Sequence, residues 1–122
     1  MKYPTLLIVS TIILLGNPKT NNERMEMLYL KNACNSCHGI YGEGMGATPR
    51  LQGKKEAILL RRLKALQQGK TRSAFGGVMV SFAKALDENQ TIEMAKYLST
   101  LTTKIDANRY EIEYDPAGDG GS

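Results

Sequence analysis

Histidine occurs once in the 122 residues of this chain, and cysteine only twice. A closed structural zinc site takes four protein ligands, and two thiols with one imidazole fall short unless a carboxylate joins them. A disulfide between Cys34 and Cys37 would close a tiny loop and stabilise little. Long apolar runs are missing as well. The best one, Leu6 to Leu15, is interrupted by Ser10 and Thr11. Ten helical residues span about 15 Å, roughly half of a bilayer core, so no spanning helix is expected. No strand pattern precedes the cysteine pair, which removes the βαβ setting of a thioredoxin-type redox motif. No internal repeat is present. No cysteine lies near position 16, which excludes a lipoprotein anchor.

The two cysteines and the histidine form one motif, Cys34-Asn35-Ser36-Cys37-His38. The pattern C-x-x-C-H reads as covalent attachment of a c-type haem. Each thiol can form a thioether to one vinyl group of the porphyrin, and the imidazole that follows is held against the ring as an iron ligand. One covalent haem is the expected cofactor. A second histidine does not exist, so bis-histidine ligation within the chain is excluded. The remaining candidates are Met25, Met27, Met45, Met79 and Met94, with lysine as an outsider. Met25 and Met27 lie on the helix that leads into His38. Met45 sits seven residues beyond His38, in a loop expected to pack on the histidine side. Met94 falls inside a regular helix. Met79 follows Gly76-Gly77 in an irregular segment, far enough along the chain to reach the opposite face, and is the expected second axial ligand. Met25, Met27 and Met94 are expected to fill core space as adaptable thioethers.

Charge and composition divide the chain into three parts. Lys2 followed by the apolar run reads as an export signal over residues 1–16, with Gly16 as the candidate cleavage site; no A-x-A pattern is present, and an uncleaved interfacial anchor is the alternative. Residues 17–105 carry 14 Lys plus Arg against 7 Asp plus Glu, a net +7, and residues 106–122 carry one Arg against five acids, a net −4. A basic body with an acidic tail is not the dominant basic stripe of a nucleic-acid binder, so no nucleic-acid partner is expected. Export suits the motif, because both thiols are consumed by thioethers and an oxidising compartment poses no pairing problem. The bacterial periplasm is the expected location.

The helical pattern starts at Thr20-x-x-Glu23, a capping box. Met25, Leu28, Tyr29 and Ala33 follow at helical spacing and lead into the haem motif, with Gly39 ending the helix. Residues 39–53 form a glycine-rich loop. Gly42-x-Gly44 lacks the strand and helix of a phosphate loop, and its glycines are expected to let the backbone turn against the porphyrin edge. Residues 54–68 read as a second helix with Leu59, Leu63 and Leu66 on one stripe, Leu60 beside it, and Gly69 past its end. A short helical turn is expected over 81–86. Asp87, with Gln90 in the reciprocal position, caps a last helix over 88–101 whose apolar face is Ile92, Ala95, Leu98 and Leu101, with Tyr97 alongside. Tyr110, Ile112 and Tyr114 alternate with acids in a strand-like period, and the end of the chain reads as loose. The fold class is all-α.

From about Met25 to Leu101 these residues resemble the class I c-type cytochromes, the small monohaem proteins of bacterial periplasms. The attachment motif Cys34 to Gly39 carries the resemblance. Pro49-Arg50-Leu51-Gln52-Gly53 is similar to the family's P-x-L-x-G segment, which implies that the Pro49 carbonyl accepts a hydrogen bond from the ligand His38. Leu59 to Leu63 with Gly69-Lys70-Thr71-Arg72 resembles the second-helix signature of one branch. Met79-x3-Ala83-x2-Leu86-Asp87 resembles the distal methionine segment, and Tyr97-Leu98 the last helix, which in the family crosses the first. The first helix often carries a glycine at that crossing; Met25 and Glu26 stand there in this chain, which implies a wider or displaced crossing.

The resemblance and the residues together imply cytochrome c-like helices wrapped around one covalent haem, serving one-electron transfer rather than catalysis. Redox protein partners with an acidic docking face are expected. Lys31, Arg50, Lys54, Lys55, Lys70, Arg72 and Lys84 are candidates for a steering rim. The alternative is a cytochrome subunit of a periplasmic dehydrogenase, by analogy one that oxidises an inorganic sulfur compound. A haem enzyme or gas sensor with an open distal site is disfavoured by Met79.

Overall fold

The structure, a computed structural model, describes residues 19–104. The export signal (1–16), the acidic tail (106–122) and its alternating segment 110–114 lie outside the described residues. Five helices make up the described part: α1 Asn21–Lys31, α2 Cys34–His38, α3 Glu56–Gln67, α4 Val78–Lys84 and α5 Glu88–Ser99. Among the described residues the only β-type pairing is an isolated bridge between Met45 and Thr48. The fold is all-α.

Helix ends follow local chemistry. Thr20 Oγ1 accepts from the Glu23 amide at 3.3 Å, and the Glu23 carboxylate accepts from the Thr20 amide at 2.8 Å. Asp87 and Gln90 repeat this reciprocal pair at the start of α5, at 2.8 and 3.0 Å. Each box satisfies two amides that a helix start leaves without partners. At the end of α3, Gly69 adopts φ +76°. Its amide donates to the Leu66 carbonyl and that of Lys70 to Ala65, both at 2.9 Å. That is the double bond of a Schellman ending, in which a left-handed residue lets the chain fold back onto its last free carbonyls.

The first helix is not continuous with the haem motif, contrary to the spacing-based expectation. α1 stops at Lys31, and Ala33 takes a left-handed conformation with φ +57° before α2 begins. The apolar spacing of 25, 28, 29 and 33 carries no information about such a break, because an exposed alanine is equally compatible with a helix. The break frees α2 to leave the axis of α1 and turn Cys34 and His38 toward the interior.

α1, α3 and α5 share one core. Met25, Tyr29, Leu59, Met94, Ala95, Tyr97, Leu98 and Leu101 are buried together. The rings of Tyr29 and Tyr97 meet edge to face with centroids 6.1 Å apart, an arrangement favoured by the aromatic quadrupole. Met25 therefore packs in this core in place of a small crossing residue. Two apolar residues assigned to the interior are not there. Ile92 remains 40% exposed, and the buried face of α5 is instead Thr91, Met94, Ala95, Tyr97 and Leu98. Met27 is 53% exposed.

A polar clamp secures α4. Gln67 Nε2 contacts the Ala83 carbonyl at 2.9 Å, the Leu86 carbonyl at 3.3 Å and Thr91 Oγ1 at 2.8 Å. Thr91 donates its own proton to the Asp87 carbonyl at 2.7 Å, so its oxygen is free to accept from the amide. One side chain of α3 thus ties the end of α4 to the start of α5.

The break at Ala33 yields a prediction. In the left-handed region a β-carbon costs about 1–2 kcal/mol, partly offset by the entropy a glycine loses on folding. Ala33→Gly should therefore raise stability by up to about 1 kcal/mol, seen as a higher guanidinium unfolding midpoint. In an unbroken helix the same change would cost about 1 kcal/mol, so the sign of the shift decides.

Candidate functional site

α2, the loop after it and the inward faces of α3, α4 and α5 form an apolar cleft, open on one side. Its walls are mainly apolar, with Leu59, Leu63 and Leu66 from α3, Phe82 and Ala83 from α4, and Met94 and Leu98 from α5. The leucine stripe read from the sequence of α3 is the back wall. Cys34 and His38, one helical turn apart on α2, line one side, and Met79 in the first turn of α4 lines the cleft as well. Cys37 is exposed and Cys34 partly so. Their three-residue separation sets both thiols on one face of α2, with Cys37 on the solvent side.

His38 is held firmly. It is 4% exposed, and its Nδ1 lies 2.9 Å from the Pro49 carbonyl oxygen. A carbonyl can only accept, so Nδ1 carries the proton and Nε2 keeps a free lone pair. Burial lowers the imidazole pKa below its ordinary value, opposed by the hydrogen bond to Pro49. The neutral form, the one able to bind a metal, is favoured. Burial also raises the Cys34 thiol.

The glycine-rich loop brings Pro49 back to His38. The Gly44 amide donates to the His38 carbonyl at 2.8 Å, and the Gly42 carbonyl accepts from the amides of Leu51 and Gln52 at 2.8 and 2.9 Å. Gly44, at φ +76°, passes so close to the returning chain that a β-carbon would lie 2.8 Å from the Arg50 amide and the Thr48 carbonyl. Among the described residues no glycine lines the cleft, and the close approach of this loop at Gly44 is backbone to backbone. Tyr29 anchors the same corner by donating to the Gly39 carbonyl at 2.7 Å, and desolvation raises its pKa.

The cytochrome c family model matches residues 23–102. The chain belongs to the cytochrome c family. It is 33% identical over 69 residues to cytochrome c-552 of Acidithiobacillus ferridurans, covering 57% of this chain and 29% of that protein. It is also 30% identical over 77 residues to cytochrome c-554(547) of Halothiobacillus neapolitanus, covering 57% of this chain and 85% of that protein. The chain therefore spans less than a third of the first relative's length and most of the second's. Membership brings one covalently bound haem c, for which Cys34, Cys37 and His38 supply the C-x-x-C-H motif.

The residues of this cytochrome fit the group: two thiols on one helix face, an imidazole with Nε2 free, a thioether and a deep apolar wall. The structure narrows the methionines. Met25 and Met27 do not line the cleft, and Met45 is 56% exposed in the loop. Met79 and Met94 do line it, but Met94 is 2% exposed within the shared core. Met79 is not in an irregular segment as expected: it lies in the first turn of α4, its amide bonded to the Gly76 carbonyl at 3.0 Å. The Gly76-Gly77 pair starts the helix rather than a loop. Leu51, Arg62 and the Gln67–Thr91 clamp were missed as contributors. A glutamine directly beside the leucine stripe of α3 was the available signal.

Without a group to fill it, the leucine-lined cleft would expose apolar surface to water. Replacing both thiols, Cys34→Ala with Cys37→Ala, should abolish covalent haem and leave a largely unfolded chain. Haem retention through acid–acetone extraction and far-ultraviolet circular dichroism measure both effects. A double variant that keeps its helices and its haem would contradict the assignment.

Proposed function

We propose that this cytochrome is a periplasmic one-electron carrier whose haem iron is ligated by His38 and Met79, with Cys34 and Cys37 as the thioether attachment points. When bound, the haem supplies a reversible ferric–ferrous couple. The observation that carries the reading is that His38, with Nδ1 already committed to Pro49, and Met79 line one apolar cleft from different helices. Pro49 holds the imidazole in the tautomer that presents Nε2 and raises its basicity. Met79 offers a soft neutral sulfur, which favours the ferrous state relative to a second histidine and raises the potential. Leu59, Leu63 and Leu66 exclude water. The Gln67 clamp on α4 resists movement of Met79, which suits a carrier that must exchange electrons with little reorganisation. Two protein ligands leave no position for a substrate, which supports a carrier over a haem enzyme or gas sensor.

The surface supports transient docking. Cys37 is exposed, so the thioether edge reaches solvent. Phe75, Val78 and Phe82, around Met79 in sequence, are 75%, 64% and 42% exposed. Phe82 also lines the cleft. An apolar lip beside a prosthetic group, on a body of net +7, suits a small and short-lived encounter with an acidic partner. Among the described residues no helix is long and apolar enough to cross a membrane.

Two tests follow. Met79→Ala should abolish the ferric methionine–iron charge-transfer band, lower the potential and let carbon monoxide bind the ferrous protein. Met94→Leu and Met45→Ala should keep the band; its loss in either, with retention in Met79→Ala, would transfer the role. Electron transfer to an acidic redox partner should slow as salt rises, since the Debye length shrinks to about 8 Å at physiological ionic strength. A rate indifferent to ionic strength would make the basic body a solvated surface only.

A further inference from the structure

The chain leaves α5 beside the loop that carries Pro49. Gln52 is buried, donates from Nε2 to Thr103 Oγ1 at 2.9 Å, and accepts from the Arg50 guanidinium through Oε1. Leu101 packs on the same loop, where a β-carbon at Gly42 would lie 3.1 Å from Leu101 Cδ1. Two apolar side chains of this loop stand in water. Ile40 is 54% and Met45 56% exposed, and neither lines the haem cleft. Three cations follow them in sequence, Arg50, Lys54 and Lys55. Among the described residues the one ion pair, Arg24 with Glu93 at 3.7 Å, lies elsewhere, between α1 and α5. Uncovered apolar side chains next to cations without a carboxylate partner fit an occupant that is both apolar and acidic.

We propose that this loop is the docking surface for residues 106–122 of the same chain. That segment lies outside the described residues, and its sequence has the required chemistry. It carries a net −4, and Tyr110, Ile112 and Tyr114 alternate with Glu111 and Glu113. Its apolar side chains suit Ile40 and Met45, and its acids suit Arg50, Lys54 and Lys55. The reach is sufficient. Tyr110 is seven residues beyond Thr103, an extended span of up to about 25 Å, whereas Ile40 and Met45 lie within about 11 Å of Gly42 along the chain. Tethering holds the arm at an effective concentration of about millimolar, so a weak contact is enough to dock it. Exposed ion pairs contribute little each, so apolar burial carries the affinity and charge sets the place. Docked there, the arm neutralises Arg50, Lys54 and Lys55 within the candidate steering rim. Lys70, Arg72 and Lys84, which flank Phe75, Val78 and Phe82 in sequence, are left as an open positive face. An acidic redox partner is thereby directed to the lip of the cleft. The docking does not depend on which residues ligate the iron.

The experiment uses the haem-loaded protein carrying residues 106–122 and a zero-length carbodiimide, which joins a carboxylate to a lysine amine only where the two touch. Glu111, Glu113 or Asp115 should be linked to Lys54 or Lys55, with the same yield at every protein concentration. Links to Lys70 or Lys84 instead would place the arm on the lip of the cleft and overturn the proposal. A yield that rises with concentration would assign the surface to a second copy of the chain and overturn it too. Replacing Tyr110→Ser, Ile112→Ser and Tyr114→Ser together should abolish the links, as should Ile40→Ser with Met45→Ser. In the latter variant the amides of residues 106–122 should exchange with deuterium about tenfold faster, as for an arm docked roughly nine-tenths of the time in the unmodified protein. Ile92→Ser, which alters an exposed apolar residue near the far end of α5, should change neither readout. Absence of links in the unmodified protein, or links and exchange that survive both sets of substitutions, would overturn the proposal. The links in the unmodified protein need no substitution, so they decide the matter even if a variant fails to mature. Covalent haem content and the haem spectrum should stay constant throughout, which keeps this test separate from that of the iron ligands.

Discussion

A hydrogen bond of 2.9 Å between His38 Nδ1 and the Pro49 carbonyl is the contact on which the rest of the site depends. It joins two residues eleven positions apart in sequence and decides which imidazole nitrogen faces the cleft. Three further contacts hold its two ends in place. The Gly44 amide binds the His38 carbonyl, the Gly42 carbonyl binds the returning chain at Leu51 and Gln52, and Tyr29 binds the Gly39 carbonyl. All are backbone or buried contacts, shielded from competition with water. The glycines serve this closure.

The second constraint is size. A described body of under ninety residues buries a small core, and here α1, α3 and α5 share one. A short chain buries a smaller fraction of its surface than a large one. The apolar cleft extends that core toward a group the chain does not encode. The Gln67–Thr91 clamp has a matching purpose on the other side. It fastens α4, a helix of seven residues that is too short to be stable alone, to both of its neighbours. α4 contributes Met79 to the cleft beside Phe82 and Ala83, so the rigidity of a polar cluster in α3 and α5 is transmitted to the methionine. Arg62, one turn earlier on α3, faces the same space with a charge. The one helix therefore supplies wall, clamp and cation at successive turns.

Much of this was legible in the residues alone. C-x-x-C-H identifies its cofactor because thioether chemistry needs both thiols at one spacing, whatever surrounds them. Capping boxes at Thr20 and Asp87 and the left-handed ending at Gly69 are local: partners lie within three to five residues, so sequence order is sufficient. The leucine stripe of α3 follows from helical period. The all-α class followed from these elements together.

What remained was decided by contacts between segments distant in sequence. Ala33 is left-handed because α2 must leave the axis of α1, and alanine carries no mark of that. Ile92 has the right spacing for the buried face of α5, yet Thr91 takes the interior position, since Gln67, twenty-four residues away, supplies its hydrogen bond. Met79 reads as loop after two glycines but lies in the first turn of a helix held by its neighbours. Arg62 and the adjacent Arg61 are indistinguishable as letters; only the packing of α3 turns one to solvent and leaves the other's Nε buried without a partner. The sequence by itself determined the covalent chemistry and the helix boundaries that local hydrogen bonds dictate. The tertiary structure alone decided which side chains of each helix face the cleft, because burial depends on what the rest of the chain places opposite them.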